Sequence, residues 1–236
     1  MASIILKRKE FYYLDEWISH HLALGIECVW LYDNGFAAYD ITINSPESYD
    51  PEKVVWDLKP DDDYFTDYSD EDIDAHIANL VEKYKGRLRV IPFVYKKDHD
   101  VAYPWSQGHM IKNCFRESIK TNFSDYWLLT DPDEFVHFKT VTSFSDILSR
   151  WPEIKSYRFN MSWHKPRTRD LPVYCPKGSK YLRTDEPRKV KWLCKPYRSD
   201  GYGIHRVCYK SSRLWIDSSD AVIHHYATPS IYNGAS

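Results

Sequence analysis

Up to residue 135 the chain alternates short, β-rich apolar runs with stretches whose apolar residues recur every three or four positions, and this alternation constrains the fold more than any other feature. Ser3 to Lys7 reads as a short buried strand. Leu14, Trp17, Ile18 and Leu22 then form a helical stripe that ends at Gly25, where a helix C-terminal glycine belongs. Glu27 to Tyr32 is a second strand-like run, stopped by the turn chemistry of Asp33-Asn34-Gly35. From Ser45 to Asp72 the chain is irregular and acidic. Ser69-x-x-Asp72 has the form of a capping box ahead of a helix carrying Ile73, Ile77, Leu80, Val81 and Tyr84 on one face. A strand from Leu88 to Tyr95 follows, then Pro104 at a first helical turn, a stripe of Met110, Ile111, Cys114, Phe115 and Ile119, and the strand Tyr126 to Thr130. Repeated β-α-β crossovers of this kind predict a mainly parallel sheet with helices on both faces, whose ligands bind at the carboxyl ends of the strands. The site is therefore expected near Asp33 and just beyond Thr130.

Past residue 150 the texture changes. Strand-like runs at Ser156 to Trp163, Val190 to Lys195, Gly203 to Tyr209, Leu214 to Asp217 and Ala221 to Tyr226 are separated by Pro, Gly, Ser and Asp, which predicts a mixed, partly antiparallel second half. No repeat, linker or low-complexity tract divides the chain, so residues 1–236 are expected to form one α/β domain with halves at 1–135 and 136–236.

Composition removes several function classes. Lys plus Arg total 32 and Asp plus Glu 34, a net charge of −2, so nothing marks a binder of nucleic acid or anionic membrane. The longest apolar runs, such as Trp127 to Leu129, fall far short of the ~20 residues a membrane span needs. Five cysteines (Cys28, Cys114, Cys175, Cys194, Cys208) show neither pairing nor regular spacing, which reads as core thiols in a reducing compartment. The apolar start before Lys7-Arg8-Lys9 is too short for a signal peptide, so the cytosol is the expected setting, with a domain excised from a longer protein as the alternative. There is no phosphate loop, no GxGxxG after the first strand and no GxSxG elbow.

The sharpest local feature is Tyr126-Trp-Leu-Leu-Thr-Asp131-Pro-Asp133-Glu134-Phe135, an apolar strand that delivers two carboxylates at i and i+2 onto its carboxyl end. Such a pair suits a hard divalent cation, Mn²⁺ or Mg²⁺, which readily bridges carboxylates to a diphosphate. The acidic run Asp61-Asp62-Asp63 lies in an irregular stretch and reads as a solvated face. His224-His225-Tyr226 ends the last apolar run; adjacent residues of a strand face opposite ways, so only one of the two imidazoles can join the aspartates.

These residues also carry a resemblance. Arg8-Lys9-Glu10, Tyr13-Leu14, Glu16-Trp17-Ile18, His21-Leu22 and Gly25, followed by Tyr32-Asp33-Asn34, resemble the opening of the family 92 glycosyltransferases and their family 2-like relatives. Gln107, Asn113-Cys114, Asp125-Tyr126-Trp127 and Asp131-Pro132-Asp133-Glu134-Phe135 resemble a second block, and Lys195-Pro196, His205 and His225-Tyr226 a third. Departures are Lys9 in place of Asn, a reduced segment around Tyr181-Leu182-Arg183, and Pro132 between the two aspartates.

The resemblance implies a GT-A type, Rossmann-like fold with a nucleotide-sugar half and an acceptor half. It implies a Mn²⁺ or Mg²⁺ ion, a UDP-sugar donor, and sugar transfer with inversion to a hydroxyl of a glycan or glycoprotein. Asp131 and Asp133 would hold the metal and diphosphate, with Asp131 nearer the ribose, and His225 would be the late metal ligand. Arg8, Glu10, Glu16, Asp33, Asn34, Gln107 and Asn113 would line the donor pocket. Inverting transfer also needs neutralised leaving charge, for which Lys195 is the candidate, and a base for the acceptor hydroxyl, for which Asp170, Asp185, Glu186 and Asp200 are the options and Asp170 the choice. The alternatives are a nucleotidyltransferase-like enzyme, which would normally show a glycine-rich basic loop after the first strand, and a catalytically inactive carbohydrate-binding or interaction module.

Overall fold

In the computed structural model, residues 2–6, 11, 14–33, 69–92, 104–164, 190–196 and 212–226 are described. The first half follows the alternation: β1 (Ala2–Leu6), α1 (Leu14–Ala23), β2 (Val29–Asp33), α2 (Asp70–Lys83), β3 (Leu88–Pro92), α3 (Pro104–Thr121) and β4 (Trp127–Leu129). α1 ends as its sequence requires, with Gly25 at φ +98°, a left-handed conformation that a side chain would resist, and with Ile26 N–H returning to the carbonyl of His21 at 3.0 Å. α2 starts on the capping box: the Ser69 hydroxyl accepts from Asp72 N–H at 3.1 Å, and the Asp72 carboxylate accepts from Ser69 N–H at 2.9 Å.

Among the described residues nine strands form one mixed sheet in the order β3-β2-β1-β4-β7-β6-β9-β5, with β8 on the side of β6. Among them β3, β2, β1 and β4 run parallel, registered as Ile4↔Leu31, Leu31↔Val90 and Ser3↔Leu129. The second half is mixed, as its texture predicts. β7 (Val190–Cys194) runs antiparallel to β4 and to the first part of β6 (Ser156–His164), β8 (Arg213–Trp215) lies parallel to that same part, and β9 (Ala221–Tyr226) runs parallel to the last part. The run at 203–209 lies outside the described residues.

Two elements differ from the sequence reading. β5 (Glu134–Phe138) begins where the Asp-Pro-Asp-Glu motif ends and pairs antiparallel with β9, and α4 (Phe144–Arg150) is capped by Ser143, whose hydroxyl accepts from Asp146 N–H at 3.1 Å. Both are short, five and seven residues, too brief to show a period of their own.

Apolar residues on both faces of the sheet explain why helices must cover each. On one face Leu14, Trp17, Ile18 and Leu22 of α1 and Ile73, Ile77 and Leu80 of α2 pack with Val29, Leu31, Leu128 and Leu193. On the other, Met110, Ile111, Cys114 and Phe115 of α3 pack with Trp30, Tyr32, Trp127, Leu129 and Trp192. Burial of large side chains such as Trp17, Trp30 and Trp127, each worth roughly 1.5 to 3 kcal/mol, fixes which face every strand residue takes. Cys28, Cys114 and Cys194 are buried and form no disulfide among the described residues, in line with core thiols. Among the described residues no helix is long and apolar enough to cross a membrane.

Candidate metal centre

Because β1 to β4 run parallel, their carboxyl ends share one edge, with Asp33 closing β2 and Asp131 two residues past β4. There the chain reverses in four residues. Glu134 N–H donates to the Asp131 carbonyl at 3.1 Å, closing a β-turn whose second residue is Pro132. Proline is favoured at that position because its fixed φ matches the turn, which accounts for its place between the two aspartates. The Glu134 carboxylate closes the turn again by accepting from Asp131 N–H at 2.9 Å.

Three other elements meet this turn. From α1, the Trp17 indole N–H donates to the Glu134 carbonyl at 2.9 Å. From β9, whose register sets His225 opposite Glu134, His225 Nε2 lies 2.9 Å from Asp133 Oδ2. From β7, Lys191 Nζ lies 2.6 Å from Asp131 Oδ2 and 3.0 Å from Glu134 Oε2, with the lysine side chain wholly buried.

The charges define one another. Burial disfavours the Lys191 ammonium, but Asp131 and Glu134 outweigh it, and the lysine pKa is raised. For Glu134, burial dominates and raises the carboxyl above its ordinary range, against the pull of Lys191. Burial also opposes the His225 imidazolium, yet Asp133, backed by Glu134 and Asp131, raises its pKa above the usual 6.5. Three carboxyl groups, one ammonium and one imidazole thus meet in a single cluster.

This donor set fits a divalent ion. One ligand atom each from Asp133, Glu134 and His225 lies within 4.8 Å of the others, so the three could hold a metal ion.

The other candidates are dispersed. Asn113 of α3 accepts a hydrogen bond from the Tyr32 hydroxyl at 3.2 Å on the α3 face of the sheet. Glu16 is half-buried on α1, one residue before Trp17, and Gln107 falls in the first turns of α3. Lys195 lies at the far end of β4 from Asp131: the register sets Cys194 opposite Trp127, and the Lys195 ammonium sits 5.1 Å from the centre of the Tyr126 ring. Arg8, Glu10, Asn34 and Asp170 lie outside the described residues.

Lys191 and Glu134 are the functional candidates that sequence reasoning missed. In Val190-Lys-Trp-Leu-Cys194 a lone lysine reads as the solvent side of a half-exposed strand. The signal that could have found it is that every neighbour is apolar, so both faces of β7 are buried and any charge there needs a partner.

The opposite face of β5 and β9 is of another kind. His137 and His224 meet edge-on with ring centres 4.4 Å apart, and His137 lies 5.5 Å from His20 of α1. His20 Nε2 donates to the Val136 carbonyl at 2.7 Å and His21 Nδ1 to the Trp17 carbonyl at 2.9 Å, while His21 Nε2 has no hydrogen-bond partner among the described residues. Burial lowers the pKa of both, that of His21 to about 3.

No protein-family model matches the chain, and no curated protein matches it.

Proposed function

We propose that the chain is a metal-dependent, inverting glycosyltransferase of the GT-A type, moving a sugar from a nucleotide-sugar donor, a UDP-sugar in the first instance, to a hydroxyl of a glycan or glycoprotein acceptor in the cytosol. The observation that carries the reading is the meeting of Asp133, Glu134 and His225 at the carboxyl end of β4, on residues that also carry the family resemblance. The parallel edge that holds Asp33 supports it further, since open α/β sheets bind nucleotides at that end.

In this reading Asp133 and His225 hold the ion, with Glu134 beside them, and the ion when bound supplies Lewis-acid stabilisation of the diphosphate leaving charge. Asp131, fixed by Lys191, accepts hydrogen bonds from the ribose hydroxyls. Asp33 and Asn34 face the nucleoside, and Arg8, Glu10, Glu16, Gln107 and Asn113 complete the donor pocket. Asp170 takes the proton from the acceptor hydroxyl as it attacks the anomeric carbon. Lys195, at the other end of β4, has no part in this reading.

The test is the heat-denaturation midpoint with UDP-, GDP- and CMP-sugars, each with Mn²⁺ and with chelator, followed by turnover assays on the donor class that shifts it. A rise that requires both metal and one nucleotide class is expected, because a ligand that binds only the folded state stabilises it by mass action. Ligand binding that persists with chelator and in Asp133→Ala would overturn the reading in favour of an inactive binding module.

A further inference from the structure

We infer that Lys191 is a positioning residue that sets the charge of the metal centre, making it selective for a divalent over a trivalent cation; this rests on the proposal that the centre binds a metal. The geometry carries the inference. Lys191 comes from the middle of the sheet, is wholly buried, and reaches two of the three carboxylates at 2.6 and 3.0 Å. Those two are the first and last residues of the turn whose third residue is Asp133, so a single cation ties both arms of the loop that presents Asp133 to His225.

A fully buried ammonium is costly to keep, and a methionine of similar length would fill the same space without that cost. What a methionine cannot do is cancel one carboxylate. With the ion bound and its ligands deprotonated, loss of Lys191 would leave the cluster one unit more negative, with the Asp131 carboxylate no longer cancelled. Electrostatic attraction scales with the charge of the ion, so one extra negative charge a few ångströms away favours a 3+ ion over a 2+ ion by about tenfold or more at the effective dielectric of such sites.

The inference is tested by measuring Mn²⁺ affinity by electron paramagnetic resonance and Tb³⁺ affinity by tryptophan-sensitised luminescence in four proteins: wild type, Lys191→Met, Asp131→Asn, and the double variant. With the ion bound, its carboxylates ionised and His225 neutral as binding requires, their cluster charges apart from the ion are −2, −3, −1 and −2. The expected ratio of Tb³⁺ to Mn²⁺ affinity rises about tenfold or more in Lys191→Met, falls in Asp131→Asn, and returns to within about threefold of wild type in the double variant. A residue with only a packing role would weaken both ions together and leave the ratio unchanged, and that result overturns the inference while leaving the metal centre standing. If Lys191→Met does not fold, the comparison of Asp131→Asn with the double variant decides: the ratio must rise when the lysine is removed, and a constant ratio is fatal. Absence of Mn²⁺ binding to wild type overturns the metal reading and this inference with it.

Discussion

His224 and His225 are neighbours on one strand, yet they belong to two different chemistries. On one face of the β5 and β9 pair, His225 meets Asp133 among three carboxylates and a lysine, and its pKa is raised. On the other, His224 packs edge-on against His137 in a group with His20 and His21, which burial holds neutral. One residue type is pushed in opposite directions across a single sheet. The balance of desolvation against a nearby opposite charge decides the direction, and the pleat of the strand decides which balance each side chain meets.

The comparison breaks most sharply at Asp133. Asp133→Ala removes the anion that distinguishes the two faces, and loss of detectable Mn²⁺ binding, with loss of any metal-dependent nucleotide-sugar binding, is expected by calorimetric titration. Next come the two neighbours: His225→Phe should weaken Mn²⁺ by about 100-fold, at the upper end of what even indirect partners of metals cost. His224→Phe, by contrast, should leave Mn²⁺ affinity within about threefold of wild type. Equal losses in the two would show that the faces are not electrostatically separate.

The histidine face makes a prediction about pH. The folded pKa of His21 lies below its unfolded value of 6.5, at about 3, so the unfolded chain takes up a proton that the folded chain refuses. Its contribution to stability is therefore complete above pH 6.5 and is lost as pH falls toward 3, at up to about 1.4 kcal/mol per pH unit. Denaturant midpoints from pH 7 to pH 4 should show this slope, and His21→Phe should flatten it. The smallest effect joins the faces: Trp17→Phe removes the indole donor to the Glu134 carbonyl and should cost about 1 to 2 kcal/mol of stability. Mn²⁺ affinity should change only a few-fold, as measured on the same protein.

Much of this frame is legible in the sequence because local chemistry and tertiary fold agree. The stripe on α1, the glycine after it, the capping box at Ser69 and the proline opening α3 each announce an element that the structure contains. The opposite orientations of His224 and His225 follow from strand alternation alone. What escapes is whatever depends on a partner distant in the chain. β5 is five residues whose identity as a strand rests on β9, and the apolar run around Lys191 says that it needs a partner without saying that the partner is Asp131, 60 residues away. Lys195 carries the same charge four positions along the same segment, and nothing local says that it sits beside Tyr126 at the other end of the neighbouring strand.

The order in which the cluster's members occur along the chain bears on how the protein is made. During synthesis the Asp131–Glu134 turn emerges first, Lys191 60 residues after Asp131, and His225 92 residues after Asp133. The nascent chain thus acquires the cation that quiets two of its carboxylates well before the imidazole that completes the third. Under the proposed metal reading the full ligand set forms only when β9 docks, so capture of the ion would follow assembly of the earlier strands rather than nucleate it.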